Sequence, residues 1–158
     1  MSMGLEDVIA AETRLSAVDG AKGALIIKGY ALDQIAGQKS FEAVARLLFT
    51  GLLDNLPDES AFAGHLGRAR ADAFALVQYI DAGILALPPM DGMRALIARI
   101  EDGEDIETTL RLLAAPAVLL PAILRHQRGL DPIAPTHGLG HAADMLHMLT
   151  GQMTSPEV

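Results

Sequence analysis

The chain has 158 residues, with 12 Lys+Arg against 20 Asp+Glu, a net charge of −8 with His neutral, and no Cys. That length fits one compact domain over residues 1–158 and buries enough surface to need no disulfide or metal staple. Zero Cys excludes disulfide scaffolds, thiolate catalysis and Cys-ligated zinc, and an acidic chain with few basic clusters makes a poor nucleic-acid binder.

Hydrophobic residues are 51% of the chain and charged residues 20%, which excludes a disordered polymer. Ala and Leu together supply 50 residues, a usage that favours helix over sheet. The opening MSMGLEDVIAAE lacks a basic stretch leading into an apolar core, so no signal peptide is expected. The longest uncharged apolar run, Leu112–Leu124, is thirteen residues, shorter than a bilayer span requires. A soluble, cytoplasmic chain with no membrane or nucleic-acid partner is the expectation.

In chain order, Thr13–Val18 and Ala24–Lys28 flank the turn residues Asp19-Gly20-Ala21-Lys22-Gly23, which predicts a small β-hairpin over about residues 12–30. Gly29 and Gly37 bracket a short helical piece, Ala31–Ile35. From about residue 40 to 150 the pattern is helical. Ser40 is placed to cap a helix carrying Phe41, Val44, Ala45 and Leu48, which stops at Gly51. Pro57-Asp58 opens a long amphipathic stretch in which Phe62, Leu66, Ala69, Ala73, Leu76, Val77 and Ile80 share a face, until Pro88-Pro89 interrupts it. Met93, Leu96, Ile97 and Ile100 mark another helix before the polar turn Glu101–Asp105. Ile106–Gln127 is apolar on nearly every side, as for a buried helix, and Pro116 and Pro121 predict a kink or two stacked pieces. A loop over Gly129–Gly140 leads to a last helix, Leu139–Thr150, with Ala142, Met145, Leu146 and Leu149 on one stripe and Gly151 as its stop. The fold class read from this is all-α with a minor N-terminal hairpin.

Ionisable residues cluster only at His137, His141, Asp144 and His147. Spacing of three and four could bring metal ligands onto one face, but Gly138 and Gly140 interrupt the first pair. Asp144 and His147 also point away from the apolar stripe, so a solvated or subunit-facing side is expected and no metal. His126, beside Arg125 at a helix end, suits the negative end of the dipole. His65 reads as a boundary residue of an amphipathic helix. The Asp19–Gly23 turn has no phosphate-loop spacing. Ser16, Ser40, Ser60 and Ser155 lack triad partners in any recognisable order, and Met90, Met93, Met145, Met148 and Met153 read as core filler. Spacing alone specifies no reaction.

Longer strings carry more. GLEDVIAAETRLSAVDGAKGALIIKGYALDQIAG followed by SFEAVARLLFTG resembles the opening of citrate synthases and 2-methylcitrate synthases. LPPMDGMRALIARI resembles the family's Pro-Met-Asp helix start, and GHAADMLHMLTGQMTSPE its Met-Leu-Thr-Gly helix stop. The likeness runs in order from Gly4 to Glu157 and implies the N-terminal half of the family's chain, an N-terminal portion of its helical large domain. Lys28 stands where Arg is frequent before Gly-Tyr, and Pro88 where His is frequent before Pro-Met-Asp.

The resemblance implies condensation of an acyl-CoA, acetyl-CoA or propionyl-CoA, with oxaloacetate. It also implies that the family's three His and one Asp lie further along. Neither Asp-His-x-x-Asn nor Gly-Pro-x-His-Gly-Gly-Ala-Asn occurs here, and Gly138-Leu139-Gly140-His141 lies upstream of their place. No catalytic residue and no cofactor is therefore assigned to this chain. The expectation is the N-terminal portion of a citrate synthase-like acyltransferase, inactive alone and completed by a separately encoded C-terminal half. A non-catalytic dimerisation or regulatory relative, or a truncated remnant, is the alternative. Self-association is expected through the helices over about 106–127 and 139–150, which resemble the family's antiparallel helical dimer sandwich.

Overall fold

A computed structural model describes residues 13–153. The N-terminal landmark GLEDVIAAE, the signal-peptide reading, Ser155 and the closing TSPE lie outside the described residues. The chain divides into two compact units, the first ending at Ser40 and the second beginning at Phe41.

In the first unit, β1 (Ser16–Asp19), β2 (Ala24–Ile27) and β3 (Tyr30–Ala31) form an antiparallel sheet in the order β1-β2-β3. Ser16 lies opposite Ile27 and Asp19 opposite Ala24, so the predicted hairpin is present. Its turn is held by Asp19 Oδ1, which accepts the Lys22 N–H at 3.1 Å. The sequence reading missed β3. Lys28 and Gly29 both take positive φ, 50° and 88°, and join Ile27 to Tyr30 as a two-residue loop of the type whose twist matches paired strands. The helical piece expected over Ala31–Ile35 shrinks to a 3-10 turn, Leu32–Gln34.

The second unit is helical. α1 (Phe41–Phe49) begins directly after Ser40. α2 (Glu59–Phe74) is capped by Asp58, whose side chain accepts the Ala61 N–H at 2.8 Å. The amphipathic stretch expected to run to Ile80 leaves α-geometry at Phe74. Ala75–Tyr79 is a 3-10 segment and α3 (Ala82–Leu85) a single turn capped by Asp81. Apolar spacing marks a buried face there without distinguishing one helix from three pieces that share it.

α4 (Pro89–Ile97) starts with Pro89 in its first turn, where the missing N–H costs nothing. α5 (Ile106–Gln127) has the predicted limits and is one continuous helix with Pro116 and Pro121 inside it, not two stacked pieces. Asp105 caps it, accepting the Thr108 N–H and hydroxyl at 2.8 Å each. Those bonds, the Thr108 backbone N–H first, hold the Asp105 carboxyl below its usual pKa. α6 (His141–Thr150) begins two residues later than expected and stops at Gly151, whose φ of 76° is left-handed.

α5 is the central element. Its residues Ala115, Val118, Leu119 and Ile123 pack with Ala73, Met93, Leu96 and Met148. Higher up, Leu110 and Ala114 pack with Ala45, Phe62, Leu66 and Ala69. By length and composition α5 could cross a bilayer, yet 56% of that stretch is buried inside the protein, as in a core helix.

Candidate functional site: a buried ionic cluster and an open helix face

Leu66, Ala69 and Ala73 define the buried face of α2, and Arg70 lies among them, 1% exposed. An arginine remains charged wherever it is placed and must find acceptors there. Arg70 Nε donates to Asp144 Oδ2 at 2.6 Å and Nη2 to the Leu139 carbonyl at 2.7 Å. Asp144, 0% exposed, uses its second oxygen to accept the Thr136 N–H at 2.9 Å. The pair therefore fastens α2 to α6 and to the loop that leads into it.

A second carboxylate completes the cluster. The first N–H groups of a helix have no partner within it. The His141 N–H is one of these, and Glu42 Oε1 on α1 accepts it at 2.6 Å. A negative charge there also suits the positive end of the α6 dipole. The His141 ring stacks on Phe41, with centroids 4.5 Å apart and planes 9° from parallel. Its Nδ1 is buried with no hydrogen-bond partner among the described residues. Burial, and after it the Arg70 charge, push the His141 pKa down to about 4 against the opposing pull of Glu42 and Asp144. Glu42→Ala is expected to destabilise the chain by about 1–3 kcal/mol, the range for leaving a buried donor unsatisfied, read from the urea midpoint.

The four residues singled out by spacing are not one set. His141 and Asp144 are buried together, whereas His137 is exposed and His147 is half-buried with Nδ1 3.2 Å from the Gln152 carbonyl. The outward placement expected for Asp144 is wrong: the buried face of α6 is His141, Asp144 and Met148. His137 lines an open cavity of about 250 Å³ with His65, Arg68, Asp72 and Glu107, where both signs of charge meet. His65 is half-buried on α2, the boundary position expected of it. His126 is in the last turn of α5 beside Arg125, which bonds the Asp131 and Leu149 carbonyls. Arg70 and Glu42 were missed by sequence reasoning. The available signal was a lone Arg one position after Ala69 and four after Leu66, on a face otherwise apolar, which demands a counter-ion.

The stripe Ala142, Met145, Leu146 and Leu149 lies on the other side of α6. Ala142 is exposed, Met145 and Leu149 are half-buried, and Leu146 is 37% exposed. α5 likewise leaves Leu112 exposed, with Pro116, Leu120 and Leu124 half-buried at intervals of four. Such spacing puts them in one row along the helix. Each of the two helices thus carries an apolar row that is partly exposed, although Leu120 also packs against the core.

Fold and site together define a helical domain with a structural ionic cluster and a partly exposed apolar face. The profile described as "Citrate synthase, C-terminal domain" matches residues 4–158, and the chain belongs to the citrate synthase family. It is 32% identical to a citrate synthase of Haloferax volcanii over 96% of this chain and 44% of that protein. It is 31% identical to a 2-methylcitrate synthase of Mycobacterium tuberculosis over 98% and 42%. The crystal structure of a Thermotoga maritima citrate synthase superimposes with a TM-score of 0.79 at 22% identity, covering 99% of this chain and 43% of that one. The chain thus spans less than half the length of the relatives it matches.

Proposed function

We propose that these residues are the N-terminal portion of a citrate synthase-like enzyme that condenses an acyl-CoA with oxaloacetate. The observation that carries this is a family match along nearly the whole chain that covers only 42–44% of the curated relatives' length. With it goes the absence from residues 1–158 of both His-bearing motifs named above. The condensing His and Asp residues, which act as acid and base and polarise the oxaloacetate carbonyl, are supplied by sequence outside these residues. On this reading no cofactor sits on this chain, and acetyl-CoA or propionyl-CoA is the substrate of the completed enzyme.

The chain's own part is to scaffold and to associate. Self-association uses α5 and α6, supported by the open rows at Leu112–Leu124 and Ala142–Leu149. The same rows favour a second reading, a non-catalytic helical partner of a full-length relative. Native capture from the source cells followed by intact-mass measurement decides between them. The expected result is a stoichiometric polypeptide carrying the distal motifs, and thiol release from acyl-CoA by the pair but not by the 158 residues alone. A defined dimer of 16.7 kDa chains with no such partner would overturn the enzyme reading and leave the interaction protein.

A further inference from the structure

Three Asp-Gly dipeptides occur in the chain, at Asp19-Gly20, Asp91-Gly92 and Asp102-Gly103. Glycine has no side chain to shield its nitrogen, so a preceding carboxyl group can reach it. We propose that Asp102-Gly103 is a self-modification site, where the aspartate isomerises to isoaspartate without an enzyme and the product loosens the cap of α5.

The geometry separates this pair from the other two. Asp102 and Gly103 are exposed and lie outside any helix or strand, in the turn between α4 and α5. Asp102 Oδ1 accepts the N–H of Gly103 itself at 2.9 Å, which keeps the carboxyl beside the nitrogen it would acylate. Such proximity replaces a bimolecular encounter with an intramolecular one. No ion pair among the described residues engages Asp102. Asp19 instead turns its carboxyl to the third residue on, accepting the Lys22 N–H at 3.1 Å and pairing with the Lys22 ammonium at 3.2 Å. Asp91 Oδ1 accepts from Arg94 Nη2 at 2.6 Å. The Gly92 nitrogen is tied as well, since its N–H donates to the Pro88 carbonyl at 3.0 Å at the start of α4.

The reaction needs no co-reactant but water. The Gly103 nitrogen attacks Cγ of the protonated Asp102 carboxyl, and an N–Cγ bond forms. The carboxyl OH leaves with the amide hydrogen as water, giving a five-membered succinimide. Water then opens the ring. Breaking the new N–Cγ bond restores aspartate, whereas breaking the bond to the original main-chain carbonyl routes the chain through Cβ and Cγ. The product has the same mass, one more main-chain carbon and a free α-carboxylate. The added carbon has little room. A Cβ on Gly103 would stand 3.0 Å from Asp105 Oδ2 and 3.0 Å from Thr108 Oγ1, the two atoms that bond each other in the cap of α5. Lengthening the chain beside Gly103 therefore displaces that cap.

The test ages the full 158-residue chain in oxygen-18 water at neutral pH and physiological temperature, both folded and in guanidinium chloride. Tryptic peptides are scored for label and for isoaspartate by electron-transfer fragmentation, which distinguishes the two linkages. In the unfolded chain all three dipeptides should convert at similar rates. Folding should slow conversion at Asp19 and Asp91 several-fold and leave Asp102 at least as fast. Asp102→Glu, which would have to close a six-membered ring, should abolish conversion at that exposed position without altering the fold. In the isolated isoaspartate form the Thr108 amide should exchange with deuterium several-fold faster. Protection of Asp102 by folding to the same degree as Asp19 and Asp91, or an unchanged Thr108 amide, would overturn the proposal.

Discussion

Asp144→Ala is expected to destabilise the helical unit by about 3–5 kcal/mol, because it strands a buried, permanently charged guanidinium. The cost does not measure what the pair contributes. Arg70 Nε and Asp144 Oδ2 gain a 2.6 Å contact but surrender two hydration shells, and those terms nearly cancel. The double variant Arg70→Met/Asp144→Leu should therefore recover most of the loss, since it removes both charges and leaves only the Thr136 N–H and the Leu139 carbonyl short of partners. Urea midpoints of the wild type, the two single variants and the double variant close a thermodynamic cycle. A single variant that loses less than about 1 kcal/mol would show that water reaches the pair, placing it with exposed ion pairs instead.

This pair also shows where the sequence stops being informative. The limits of α5 follow from its own residues: Asp105 as cap, an unbroken apolar run, and Arg125 and His126 at the end. Both prolines break only local rules, which tertiary packing of a core helix outweighs. α6 differs because its apolar stripe and its buried face are not the same face. Period-based reading assigns Ala142, Met145, Leu146 and Leu149 to the core. Arg70, 74 residues away in sequence, draws Asp144 inward instead, and Glu42 on α1 draws the first turn of α6. Hydrophobic periodicity says which side of a helix prefers to be covered without saying what covers it. In α6 the two faces differ: one is closed by an ionic cluster within the chain, and the other carries the partly exposed row Ala142, Met145, Leu146 and Leu149. The family strings gave the fold more securely than the pattern did, because they carry that long-range information implicitly.

Stability is expected to fall as the pH drops from about 6.5 to about 4, by roughly 2–3 kcal/mol, with His141 as the cause. Its folded pKa is depressed to about 4, against about 6.5 for an unfolded histidine. Across that window the unfolded chain binds a proton that the folded chain refuses, so acid favours unfolding. Above pH 7 both states hold a neutral ring and the contribution is flat. The groups around the ring divide by sign. Desolvation and Arg70 oppose its protonation, whereas Glu42 and Asp144 favour it without prevailing. His141→Leu keeps an apolar side chain against Phe41 and has nothing to titrate, so its denaturation midpoint should be flatter between pH 6.5 and 4.5 than that of the wild type. The carbon-bound ring protons of His141 give an independent reading by NMR. A ring that titrates near 6.5 would mean that the stack on Phe41 opens to water, and would overturn the assignment of the acid limb to His141.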